Sequence, residues 1–413
     1  MSTLWMTRKK IIVFQPVGGM LESRLLAGIL DAANALRLEV SVVECVRNRG
    51  VSPVFIRSPG GETFAEVVRS VRPDGVIVVF NALPADALRG PGRRSLPAVF
   101  IDRQDASHVP AGFSPVFVCG EADSYARLAA RELFRSDFRD YAFLPFPGNP
   151  PWSRERGDCF ERLVAEAGKS FHPFPAWRQG GAMDFVAYLA PFLDSLPRPC
   201  GLFAVNDTLG EAALRICAVR GWDVPHDFAV VGVDNLEQIC EATSPTLSSI
   251  CRDLEGEGRA AAKLLAEWMA SPRRRPASLA MPALHVVRRA STFLAADRRI
   301  ARAMEFIRLH ACEPGFAPPK VVREMGISRS QADLLFRRVV GRSILNVIHD
   351  TRIARAQDLL RAGKSASYAA DTCGFGSHVD FSRAFKRHVG TTVRAWTLAL
   401  SGTTLSTSAK ARH

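Results

Sequence analysis

Four short runs between Lys9 and Ile101 are built almost wholly from β-branched, aliphatic and aromatic residues: Lys9–Phe14 (KKIIVF), Leu38–Glu44 (LEVSVVE), Val76–Phe80 (VIVVF) and Ala98–Ile101 (AVFI). Extended segments this apolar cannot border water on either face, so they belong inside a sheet covered by helices on both sides. Helical stretches at Ser23–Leu36 and Phe64–Val71 separate the runs, with Gln15–Glu22 a loop and Asp74-Gly75 a turn. A strand-helix-strand rhythm of this kind gives a parallel sheet. The rhythm begins again at Val116–Cys119, where Asp123 is placed to cap a helix reaching Phe134. It continues through a strand at Tyr141–Phe146, a helix at Arg154–Ala167, and strands at Gly201–Val205 (GLFAV), Phe228–Val233 (FAVVGV) and His285–Thr292. The expected fold is α/β, two lobes of doubly wound parallel sheet. Ligands meet such sheets at the carboxyl ends of the strands, which is where effector residues are to be sought.

The character of the chain changes after the basic stretch Ser271–Pro276 (SPRRRP) and the strand ending at Thr292: only helices follow. From Ala296, apolar residues fall at Ile300, Ala303, Met304, Ile307 and Ala311, one face of a helical period. Pro319–Met325 then predicts a short helix, Gly326-Ile327-Ser328 a tight turn with Ser328 as cap, and Arg329–Val340 a second helix. That is a helix-turn-helix. A long helix, Ile344–Leu360, leads to a second copy: helix Ala366–Thr372, turn Cys373–Gly376, helix Ser377–Val389. Two copies on one connecting helix are far more specific than one. The expected organisation is an effector domain over 10–292, an all-α double helix-turn-helix domain over 297–398, and a disordered tail over 399–413.

Of the net charge of +13, nearly all belongs to one end: residues 297–413 hold 20 Lys and Arg against 9 Asp and Glu, the first 296 residues 34 against 32. A small cationic domain suits a polyanion, since each neutralised phosphate releases condensed counterions; a solvated, solubilising face is the alternative. No apolar run approaches the roughly 18 residues of a membrane span, and Ile11–Phe14 is too short for a signal-peptide core. The expectation is a cytoplasmic protein without membrane contact. The nine cysteines stand apart, with no Cys-x-x-Cys and no histidine cluster beside them, which predicts reduced thiols and no metal. An enzyme is the rival class for doubly wound lobes, but dinucleotide, P-loop and nucleophile-elbow motifs are all missing, and no cofactor is expected. A transport-associated binding protein would explain the lobes and leave residues 297–398 without purpose.

Ala370–Gly390 (ADTCGFGSHVDFSRAFKRHVG) closely resembles the second half of the arabinose-regulator type of DNA-binding domain, whose pattern is Cys-Gly-Phe, then Phe-Ser-Arg-x-Phe-Lys, then Gly. Gly326–Gly341, with Phe336 and Arg337 in place, resembles the first half. The resemblance implies two recognition helices in successive major-groove segments of double-stranded DNA, about 34 Å apart. Arg329, Ser330, Gln331 and Asp333 of the first recognition helix match groove-facing positions, as do His378, Val379, Asp380, Ser382 and Arg383 of the second. Arg383 is the strongest base reader of the set, because arginine reaches O6 and N7 of guanine with a forked pair of hydrogen bonds; a phosphate contact is its alternative. Arg337, Arg338, Lys386 and Arg387 match residues that position the DNA backbone. Phe336, Phe375, Phe381 and Phe385 match the core. Two departures stand out: Leu334, where many relatives are polar or basic, implies altered base reading, and Thr392-Val393 in place of Thr-Pro implies a looser helix start.

Residues 10–292 resemble the lactose-repressor and periplasmic sugar-binding fold, on Val205-Asn206-Asp207 after one strand, Val230–Asp234 (VVGVD) after the next, and the closing Val286–Thr292 (VVRRAST). The headpiece of lactose-repressor relatives has no counterpart in the short stretch before Lys9, so DNA binding is expected at the other end. The expected fold class is thus two periplasmic-binding-protein-like α/β lobes plus an all-α double helix-turn-helix domain. That order of parts is the arrangement of xylose-operon regulators, which the whole chain resembles. The resemblance implies a monosaccharide effector such as xylose, a homodimer, and activation of a carbohydrate operon through RNA polymerase. A sugar needs carboxylates and amides for its hydroxyls, an arginine to span two of them, and an aromatic face for its C–H surface. The matching positions are Asp207, Asp234, Arg156, Asn206, Asn81 and Trp177. Plainer roles are open to several: a helix cap for Asp207, a turn for Asp234, a surface ion pair for Arg156, core packing for Trp177. The loop Gln15–Glu22 offers few polar side chains, so lobes that only dimerise, or bind something other than a sugar, remain the alternative.

Overall fold

The computed structural model describes residues 8–16, 19–45, 64–80, 96–102, 116–175, 182–293 and 298–402. The chain divides into two compact units, Met1–Thr292 and Phe293–His413. The first opens with β1 (Lys10–Pro16), α1 (Met20–Ala35), β2 (Glu39–Cys45), α2 (Phe64–Val71), β3 (Gly75–Val79), β4 (Ala98–Ile101) and β5 (Val116–Gly120). These strands lie in the order β2-β1-β3-β4-β5, all parallel. Every residue of β3 and β4 is buried, as their lack of polar groups predicts. Alternate residues serve opposite faces: Ile11, Val13, Ile77 and Val79 pack with Leu25 and Ile29 of α1, while Ile12, Phe14, Val76 and Val78 pack with Val68 of α2.

The chain then builds a second sheet through α3 (Ala122–Leu133), β6 (Asp140–Leu144), α4 (Pro151–Glu166), β7 (Ser170–His172), α5 (Ala182–Ser195), β8 (Cys200–Ala204), α6 (Asp207–Arg220), β9 (Phe228–Val233), α7 (Glu237–Cys240) and β10 (Ser248–Ile250). Its parallel order is β7-β6-β8-β9-β10. The path returns with α8 (Leu254–Ala270) and β11 (Leu279–Met281), which extends the first sheet beyond β5, and crosses once more to β12 (Val286–Val287), antiparallel to β10. Helices α1 and α8 touch through glycines. A Cβ on Gly28 would fall 2.0 Å from the carbonyl oxygen of Glu255, and one on Gly258 would fall 2.1 Å from that of Leu25.

Three local expectations are corrected. Val116–Cys119 does not begin the second lobe: β5 pairs with β4 and β11 in the first sheet, and that partner comes from a much later segment. Asp123 does not cap α3, which starts at Glu121 without a side-chain cap; its carboxylate pairs instead with Arg127 and Arg162. The closing strand shrinks to Val286–Val287, because Arg288 and Thr292 are drawn onto Glu132, and Ser291 onto the Val230 carbonyl.

The second unit contains α9 (Arg298–His310), α10 (Pro318–Met325), α11 (Arg329–Val339), α12 (Ile344–Arg361), α13 (Ala366–Thr372), α14 (His378–Val389) and α15 (Val393–Gly402). Helices α10-α11 and α13-α14 form the two helix-turn-helix units, whose turns need the left-handed backbone of Gly326 (φ 65°) and Gly374 (φ 72°). Helix α12 serves both. Its Ile344, Val347 and Ile348 join the core of the first unit with Val321 and Phe336, while Ile353, Ala356 and Leu360 join that of the second with Phe381 and Phe385. Between them, buried Arg352 donates to the carbonyls of Ala311 (2.7 Å) and Phe316 (2.9 Å), holding the loop from α9 to α10. Helix α15 runs to Gly402, into the stretch expected as a tail; residues 403–413 lie outside the described residues.

Candidate effector site and nucleic-acid interface

Three connections join the lobes and bond to one another. The N–H of Glu121 donates to the Met281 carbonyl (2.7 Å), that of Leu284 to Cys251 (3.0 Å), and that of Cys251 to His285 (2.8 Å). Arg252 sits on the connection between β10 and α8. It donates through Nε and Nη2 to the two carboxylate oxygens of Glu257 (2.8 and 2.6 Å), and through Nη2 to Asp102 Oδ1 at the end of β4 (2.7 Å). Its Nη1 lies 4.0 Å from Asp234 Oδ1 at the end of β9. One guanidinium therefore faces carboxylates of both lobes. Burial works against its charge, but Asp102 and Glu257 outweigh this and hold its pKa well above the ordinary value.

Several residues around it occupy unfavourable backbone. Phe80, Asp102 and Asp234 follow directly on β3, β4 and β9 with φ of 51°, 68° and 99°. Non-glycine residues persist there only when the surroundings over-determine them, a pattern that gathers at binding sites. Arg156 of α4 is buried over the ring of Tyr125, 4.3 Å from its centroid, with Trp152 at 5.4 Å. Its Nη1 donates to the Val205 carbonyl at the end of β8 (2.7 Å). Among the described residues, its Nε has no partner, nor do the buried Oε1 of Gln15 near the end of β1 and Oδ1 of Asn235 after β9. Orphaned buried polar atoms are rare, and these combine one donor with two acceptors. Burial pushes the Asp234 carboxyl upward, an effect that Arg252 and Arg156 partly offset.

In the second unit, Ser328 and Ser377 cap α11 and α14 by accepting from the N–H of Gln331 and Asp380 (3.3 and 3.1 Å). Gln331 returns its side-chain oxygen to the Ser328 N–H, and Asp380 accepts from the Ser377 hydroxyl. Both therefore serve the caps. Arg329, Ser330, Arg337 and Arg338 of α11 are exposed, as are His378, Val379, Arg383, Lys386 and Arg387 of α14; Asp333 and Ser382 are half-buried. Phe336, Phe381 and Phe385 are buried in the cores beneath. Each recognition helix thus presents an outward face with two or more cations.

Two family models match the chain: a periplasmic binding protein-like domain over residues 130–292 and a helix-turn-helix domain over 321–398. The xylose operon regulatory protein of Escherichia coli strain K12 is 29% identical over 303 residues, 70% of this chain and 76% of the relative. That of Haemophilus influenzae strain Rd is 29% identical over 304 residues, 71% of this chain and 78% of the relative. A solved structure described as the xylose-binding transcription activator xylR aligns over 96% of this chain and 99% of its own, at 23% identity and a TM-score of 0.53, which shows the shared fold. The chain is a DNA-binding transcription regulator similar to the xylose operon regulatory proteins. No helix among the described residues is long and apolar enough to cross a membrane.

The regulator brings Asp234 and Arg156 within electrostatic reach of each other, beside the ends of β9 and β8. Asp207 has no exposed surface: its Oδ1 accepts from the Ser249 hydroxyl (2.5 Å) and its Oδ2 from the Leu236 N–H (2.7 Å). It thereby ties the turn carrying Asp234 to β10. The cap of α6 is Asn206, through the Leu209 N–H (3.0 Å). Asn81 and Trp177 lie outside the described residues. Gln15, Asp102, Asn235, Trp152 and Arg252 were not among the expected site residues. Asp102 and Asn235 follow strand ends just as Asp234 does, and that rule could have found them. Arg252 follows β10, whose three residues carry two serines and give no periodic signal.

Burial, with Asp234 nearby, pushes the Asp207 carboxyl up to about 7 in the regulator, against 3.8 for the free group. The folded state thus holds this proton more tightly than the unfolded chain. The stabilisation is complete below the unfolded value and is lost as pH rises through about 7. The unfolding midpoint of the first unit is expected to fall between pH 5 and pH 8, and Asp207→Asn should flatten that slope in a thermal melt taken at several pH values.

Proposed function

We propose that this regulator binds a monosaccharide between its lobes and operator DNA through both helix-turn-helix units, as a cytoplasmic homodimer that activates a carbohydrate operon through RNA polymerase. The reading rests on one observation above all: buried polar atoms of Gln15 near the end of β1, Asn235 just beyond β9 and Arg156 of α4, which is bonded to the carbonyl at the end of β8, have no partner among the described residues, in a chain whose other unit is a double helix-turn-helix. Asp234, Gln15 and Asn235 would accept from sugar hydroxyls, Arg156 would donate, and Trp152 offers an aromatic face. The curated relatives, named as xylose operon regulators, favour a pentose. Arg329, Ser330 and Arg383 face bases, while Arg337, Arg338, Lys386 and Arg387 hold phosphates. A sugar can shift DNA binding only by favouring one arrangement of the lobes over another.

The test is thermal unfolding of the full chain against pentoses, hexoses and their phosphates, with affinity for duplex operator DNA measured alongside. One sugar is expected to raise the midpoint and change that affinity, because it binds only the native state. Asp234→Asn should abolish both responses while leaving sugar-free DNA binding in place. A flat response to every sugar would refute the effector assignment.

A further inference from the structure

The two recognition helices can be aligned in register from their serine caps, Ser328 for α11 and Ser377 for α14. From those caps, the buried residues coincide: Ala332 with Phe381, and Phe336 with Phe385. The outward residues can then be compared position by position. Ser330 of α11 corresponds to Val379 of α14, and Leu334 of α11 to Arg383 of α14. Leu334 is 69% exposed and Val379 56% exposed, so neither is engaged in the core. Large apolar side chains held in solvent on a face otherwise made of Arg329, Arg337 and Arg338, or of Arg383, Lys386 and Arg387, have no structural reason to be there. A protein partner that takes up apolar side chains would gain little from so many cations around them. DNA takes both: phosphates meet the cations, and the thymine 5-methyl group is the one apolar feature in the major groove.

We propose that Leu334 reads a thymine methyl group at the position where Arg383 reads guanine in the other segment, and that Val379 reads a second thymine beside that guanine. The operator is then two unlike segments rather than one motif repeated: an A·T pair specified by α11, and about 10 base pairs along it a guanine specified by α14. The inference rests on the DNA-reading function proposed above and adds which base each helix selects.

The experiment selects binding sites for the full-length protein from a pool of random duplex DNA. It then replaces each thymine of the selected site, one at a time, by deoxyuridine, which differs only in lacking the methyl group. Deoxyuridine at the thymine under α11 is expected to weaken binding about four-fold, the affinity equivalent of one buried methyl. Leu334→Ala should bind thymine and deoxyuridine alike at that position, and Leu334→Arg should move the preference there to guanine. Arg383→Ala separates the two claims. If it relaxes the guanine preference while deoxyuridine costs nothing at any position, the methyl reading is overturned and DNA reading stands. If selection yields no shared sequence, both fall. If Leu334→Ala lowers transcription but keeps the discrimination between thymine and deoxyuridine, Leu334 contacts a protein instead, which also overturns the proposal.

Discussion

Arg252→Ala is expected to destabilise the first unit by about 3–5 kcal/mol, the cost of leaving buried carboxylates without their counter-charge. Glu257 loses both guanidinium bonds and Asp102 loses one, and all three residues are almost wholly buried. Neither carboxylate can turn to water without opening the junction between α8 and β4. The measurement is a urea titration of the full chain, with the loss assigned to the transition of the first unit. Neutralising the carboxylates as well, in Arg252→Met combined with Glu257→Gln and Asp102→Asn, should recover a large part of the loss, since a network removed whole leaves no unpaired charge. A single variant that costs under about 1 kcal/mol would mean that water reaches the cluster and that the linkage between lobes is weak.

Phe385→Ala should cost the second unit about 3–5 kcal/mol, the usual range for emptying a buried aromatic site. The ring has no exposed surface and lies edge-on to Phe381 (5.7 Å) and Trp396 (5.6 Å), so it joins α14 to α15. Its consequence for function is uneven. Helix α11 is seated on a different cluster, around Phe336, Val321 and Ile307, which meets the damaged half through α12 and through Cys312. Footprinting on a selected duplex is expected to show protection under α11 with protection under α14 lost, at reduced total affinity. Simultaneous loss of both segments would show that α12 couples the halves into one cooperative unit.

Much of the architecture was legible because it is written over short distances. The apolar runs around Ile12, Val78 and Phe100 demanded a covered parallel sheet, and the cap at Ser328 with the turns around Gly326 and Gly374 marked both helix-turn-helix units nearly to the residue. The strand-end rule led to Asp234. It pointed equally to Asp207, whose carboxylate accepts from the Ser249 hydroxyl and the Leu236 N–H and so supports the turn beside it, bonds between segments that no local pattern announces.

Strand type and helix period depend on residues within a turn or two of one another, and the sequence alone determined them. Tertiary structure decided which sheet received Val116–Gly120, since β11 had to arrive from the far side of the second lobe to pair with it. It also decided the buried cluster of the candidate effector site, where Arg252 meets an Asp102 that lies 150 residues earlier in the chain. A buried ion pair leaves no local period to read, because its energy depends on desolvation and on a distance that only the folded lobes set.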